Sequence, residues 1–82
     1  MSDLFEALQK RYHTLLDRKV AGGDGELAED VSAFIADVRH AGASVADVGE
    51  RSQLRAWMRF LADVVYEDEG VYPDTSLQPL AH

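Results

Sequence analysis

The chain has 82 residues, 46% of them hydrophobic, with eight basic against fifteen acidic side chains and no cysteine. That length holds one domain with a thin stability margin, and the hydrophobic share suits a folded globule rather than a disordered tail. The formal charge of -7 argues against nucleic acid or an anionic membrane as partner, since phosphate binding needs a broad positive surface, and favours a basic protein surface or a basic patch on a second copy.

The N-terminal MSDLFEALQ has neither the basic start nor the unbroken apolar run of a secretory signal. No stretch approaches the roughly 20 apolar residues of a membrane span. With no cysteine for a disulfide or a thiolate metal site, these features point to the cytoplasm.

The first helix is expected over about 4–20. Leu4, Phe5, Leu8, Tyr12, Leu15, Leu16 and Val20 form its apolar face, at the spacing of 3.6 residues per turn. Asp3 and Glu6 suit its start, Arg18 and Lys19 suit its end, and Gly22 and Gly23 stop it.

A second helix is expected over about 25–41, capped by Asp24. Leu27, Val31, Phe34, Ile35 and Val38 follow one face, and Arg39, His40 and Gly42 mark the end. Residues 43–49 form a connector with room for a short extra helical turn, and Ser44 with Asp47, and Asp47 with Glu50, both have the spacing of a cap for the next helix.

The third helix, about 48–68, is the centre of the chain. It carries the single tryptophan, and Leu54, Trp57, Met58, Leu61, Val64 and Val65 recur along one face. Short links between three long helices predict antiparallel neighbours. The fold class is therefore all-α: a compact bundle over residues 1–70, with the tail 71–82 extended and packed on the same domain. Pro73 and Pro79 keep that tail out of a helix, while Val71, Tyr72, Leu77 and Leu80 are apolar enough to cover one end of the core. The core is expected to comprise Leu8, Tyr12, Leu15, Leu27, Val31, Phe34, Ile35, Val38, Leu54, Trp57, Met58, Leu61, Val64 and Val65.

The residue sets that chemistry requires are missing. His13, His40 and His82 stand far apart, without a second metal ligand three or four residues away. Ser32, Ser44, Ser52 and Ser76 lack the context of a nucleophile. The run Gly22-Gly23-Asp24-Gly25 lacks the lysine and hydroxyl of a phosphate loop, and the acids around Gly70 lack the order of a calcium loop. No catalytic, cofactor-binding or metal-binding residue is assigned, and the chain does not read as an enzyme.

Charge layout says more. Arg51, Arg55 and Arg59 recur every fourth residue, within about 80° on the outer face of the third helix. Glu26, Glu29, Asp30 and Asp37 fall within about 100° beside the apolar stripe of the second. An arginine row and a carboxylate row on one molecule suit contact between copies or related domains, because a guanidinium fork engages carboxylates bidentately.

The stretch LRAWMRFLADVVYEDEGVYPDTSLQPL, Leu54 to Leu80, resembles the ends of small helical adaptor domains of bacterial immune proteins. These are the effector-associated and death-like modules, CARD-like domains included, that accompany proteases, NTPases and gasdermin systems in anti-phage defence. The resembling part is the arginine- and aromatic-rich helix, then Val-Val-Tyr, then Gly-Val-Tyr-Pro-Asp-Thr, about a third of the chain. The resemblance implies homotypic association that gathers effector domains, with no chemistry of its own. It also implies six helices in a Greek key, against three long helices read from periodicity. The expected function is a non-catalytic protein-interaction module. The alternative is a free-standing acidic immunity protein or antitoxin that masks a basic toxin or enzyme.

Overall fold

A computed structural model describes residues 3–66 and 73–81, which contain three α-helices and no strand. They are α1 (Asp3–Val20), α2 (Leu27–Ala41) and α3 (Val48–Tyr66). The expected C-terminal residues of the third helix and its glycine stop, together with Val71, Tyr72 and His82, lie outside the described residues. Among the described residues no helix is long and apolar enough to cross a membrane.

Each helix begins and ends for a local reason. Asp3 and Glu6 lie in the first turn of α1 and Arg18 and Lys19 in its last, complementing the helix dipole at both ends. Gly22 and Gly23 then take φ values of 110° and 75°, the left-handed region that side chains avoid. The Gly23 and Gly22 amides bond back to the carbonyls of Arg18 (2.8 Å) and Lys19 (3.1 Å), closing the helix end.

α2 starts two residues later than the spacing predicts. Asp24 does not cap it directly. Its carboxylate accepts the Glu26 amide (3.0 Å), its carbonyl accepts the Leu27 amide (3.2 Å), and the helix starts after that turn. The same carboxylate takes two bonds from Arg18, so the connector is tied to the end of α1. At the other connector, residues 42–44 make a turn and no extra helix forms. Asp47 caps α3 by accepting the Glu50 amide at 2.9 Å.

The core comprises Leu8 and Leu15 of α1, Leu27, Val31, Phe34, Ile35, Val38 and Ala41 of α2, Val45, and Leu54, Trp57, Met58, Leu61 and Ala62 of α3. Tyr12, Val64 and Val65 are half-buried at its edge. Ala41, Val45 and Ala62 join the side chains expected from the helical spacing. No charged or polar residue is buried among the described residues.

Each helix pair has its own fastening. Between α1 and α2, Arg11 pairs with Asp37 (2.7 Å) and Arg18 with Asp30 (2.6 Å), so α1 advances from 11 to 18 as α2 retreats from 37 to 30. Between α1 and α3, the rings of Phe5 and Tyr12 each stack on Trp57 at 5.1 Å. Between α2 and α3, the Tyr66 hydroxyl donates to the Ala28 carbonyl at 2.7 Å.

Candidate interaction surfaces

The arginine row divides in two. Four residues of α-helix turn through about 400°, so such a row drifts by about 40° per step around the axis. Its first member, Arg51, therefore falls beside the buried stripe of Leu54 and Met58, facing the connector from α2. There its guanidinium donates to the carbonyls of Gly42 and Val45 (2.9 Å to Val45) and, through the other terminal nitrogen, to that of Gln78 at 3.3 Å. The expected outward role of Arg51 is corrected by this geometry: its donors are spent on carbonyls that end α2 and line the connector. Arg55 and Arg59 are exposed; Arg59 and Asp63 each interact with another group.

The carboxylate row divides likewise. Asp30 and Asp37 stand seven residues apart on the α1 side of the α2 stripe, where Arg18 and Arg11 stand seven apart opposite them. Each pairs with an arginine of α1 while remaining exposed. These pairs are largely exposed and of the kind worth about 0.2–1 kcal/mol each. Glu26 and Glu29, at the start of α2, are exposed.

Two carboxyl groups titrate below their ordinary values. The Asp24 carboxyl is lowered, first by its hydrogen bond with the Arg18 side chain. The Asp74 carboxyl is lowered chiefly by the amide and then the hydroxyl of Ser76. Burial raises the phenol of Tyr12.

The tail supplies a site that sequence reasoning missed. Asp74 and Ser76 form a turn of their own, the Asp74 carboxylate accepting from both the Ser76 amide (2.9 Å) and its hydroxyl (2.8 Å). Arg39 then holds the turn, pairing with Asp74 at 2.9 Å and donating to the Ser76 carbonyl at 3.0 Å. Beyond it the Gln78 amide donates to the Arg39 carbonyl and the Ala81 amide to the Ala43 carbonyl, each at 3.1 Å. Leu77 is half-buried against the core, and Leu80 remains exposed. Gly42 makes room: a Cβ there would lie 2.8 Å from the Gln78 oxygen and 2.9 Å from the Leu77 Cβ.

The sequence held part of this signal. Asp-x-Ser before an apolar residue is a turn signature. Arg39, however, satisfies the dipole of its own helix equally well, so nothing singled it out.

Open clefts run along the α1–α2 seam. One of about 320 Å³ lies by Lys10, Thr14, Arg18 and Asp30, and one of about 520 Å³ lies by Leu4, Leu8, Asp37 and His40. Their charged rims are closed by the same ion pairs. Among the described residues no group of three His, Cys, Asp or Glu side chains is placed to hold a metal ion. His13 lies edge-on to Tyr12 at 5.7 Å, and His40 is exposed at the end of α2.

No family model matches the chain, and no curated protein or solved structure does.

Proposed function

We propose that the chain is a non-catalytic protein-interaction module that clusters its partners by contact between two charged surfaces. One surface is Arg55 with Arg59 on α3, and the other is Glu26 with Glu29 at the start of α2. The observation that carries this reading is that these four charged side chains, basic on α3 and acidic on α2, all lie exposed on different helices. Two different surfaces meeting head to tail build rings or open chains of copies rather than two-fold pairs.

The reading takes α1, α2 and α3 as antiparallel neighbours, which the opposed steps of the Arg11–Asp37 and Arg18–Asp30 pairs support. It takes the tail as packed on the bundle, supported by the bonds from residues 74–81 to α2 and its connector. A cytoplasmic setting and a role in bacterial defence rest on the absence of cysteine and on the resemblance of Leu54 to Leu80 to adaptor modules. The adaptor role does not require a six-helix topology. The alternative of an acidic inhibitor rests on the net charge of -7, and predicts a monomer that binds an unrelated basic protein.

The test is charge reversal. Arg55→Glu with Arg59→Glu leaves the core untouched, so helicity is expected to be unchanged while association is lost. Light scattering across a salt series reads the mass. A wild-type mass above 9.1 kDa that falls with salt and with reversal is expected. A wild-type chain that stays at 9.1 kDa in low salt, or association that survives reversal, overturns the homotypic reading.

A further inference from the structure

We infer that Phe60 is the apolar anchor of the head-to-tail contact, and that it inserts into the cleft beside the Gly22-Gly23 turn of a second copy. The inference rests on the charged-surface reading above and adds the shapes that accompany the charges.

Phe60 is the largest of the exposed hydrophobic side chains, with 49% of its surface open. It follows Arg59 directly and stands five residues, about 7.5 Å of helix axis, beyond Arg55. Side chains of a helix lean toward the preceding turn, and there Ala56, itself exposed, is too small to cover the ring. The other rings near the surface are not free in this way: Phe5 and Tyr12 are stacked on Trp57. An aromatic side chain beside arginines is the composition of an interface anchor.

The α2 surface offers a recess to match. A cleft of about 290 Å³ is lined by Gly22, Gly23, Leu27, Ala28 and Val65, room enough for a phenyl ring. The glycine turn keeps it open, since a Cβ at Gly22 would meet nothing within 4 Å. Lys19 and Asp24, also in its wall, offset each other in charge. Glu26 and Glu29 bracket Leu27 and Ala28 in the chain and are exposed. Two carboxylates thus accompany the recess as two arginines accompany the ring.

The two halves cannot meet within one molecule. Phe60 and Val65 stand on the same helix, about 140° apart around its axis, so the ring cannot turn back into the cleft that Val65 lines. A second copy brings both complements at once, opposite charge and an apolar recess, on a surface different from the one that carries the ring.

The experiment is a double-mutant cycle on self-association, followed by sedimentation equilibrium at several salt concentrations, with helicity checked by circular dichroism. Phe60→Ser changes an exposed side chain, and Ala28→Leu fills the recess with a good helix former. Each is expected to weaken association by about 20- to 150-fold, the worth of covering about half a phenylalanine side chain. Neither alters a charge, so the dependence on salt should keep its slope. The double variant should associate no more weakly than either single one, because ring and recess form one contact. Association indifferent to Phe60→Ser, or losses that multiply in the double variant, overturns this inference and leaves the charged surfaces standing. A parent chain that stays at 9.1 kDa overturns both.

Discussion

Arg51 and Arg55 offer a sharp internal comparison, since the same side chain occurs twice, one turn apart, with opposite surroundings. Arg51 donates to three carbonyls, those of Gly42, Val45 and Gln78. A hydrogen bond involving a charged group is worth about 1.5–3 kcal/mol net. The site is half-buried, so water regains part of what the guanidinium supplied, and Arg51→Ala is expected to cost about 3 kcal/mol. A domain of this length has about 4–12 kcal/mol in all, so the melting temperature should fall by about 12–24 °C. Arg55→Ala, on the exposed face, should stay within about 0.5 kcal/mol of the parent. Urea unfolding followed by the fluorescence of Trp57 measures both. If the two variants are equally stable, Arg51 does not fasten the connector and the tail, and the division of the arginine row is wrong.

Other expectations test the core, the tail and the loops. Trp57→Ala removes a ring that is 4% exposed and stacked by two others; it should cost about 3–5 kcal/mol, read by the same unfolding assay with Tyr fluorescence. Gly42→Ala places a Cβ within 3 Å of the Gln78 backbone; it should cost about 1–3 kcal/mol and speed hydrogen exchange at the Gln78 and Ala81 amides, while the amides of α1 keep their protection. Acid should loosen the connector and the tail. Asp24 and Asp74 have carboxyls lowered below 3.8, so their stabilisation is complete above that value and is lost as pH falls through the lower folded values. Unfolding measured from pH 5 down should show a slope that Asp24→Asn and Asp74→Asn each reduce.

The parts of the fold legible in the sequence are those decided within one helix. The stripe of Leu27, Val31, Phe34, Ile35 and Val38 announces α2, and of the two cap patterns before α3, Ser44 with Asp47 and Asp47 with Glu50, the structure uses the second. The glycine pair ends α1 for the conformational reason its type suggests. Gly42 is different. It follows α2 as a stop signal would, yet its φ is -55°, and its lack of a side chain serves the approach of Leu77 and Gln78. That contact joins residues 35 and 36 positions apart, and helical periodicity carries no trace of it.

The candidate site is half legible for a related reason. Arg51, Arg55 and Arg59 share spacing and type, so the sequence presents them as one row. The drift of a four-residue row around the axis separates them, and where Arg51 lands depends on how α2 ends. Asp30 and Asp37 stay exposed where their own helix places them, and Arg18 and Arg11 on α1 add ion pairs that the spacing within one helix does not show. Glu26 and Glu29 are exposed at the start of α2.

The most direct test of a charged head-to-tail contact is an exchange of signs. Chains carrying Arg55→Glu with Arg59→Glu are mixed with chains carrying Glu26→Arg with Glu29→Arg, and light scattering follows the mass at low salt. Neither variant should assemble with itself, since each has two like-charged surfaces, and the mixture should associate through the restored pair of opposite charges. A mixture that remains at 9.1 kDa, or single variants that assemble as well as the parent, would contradict the account.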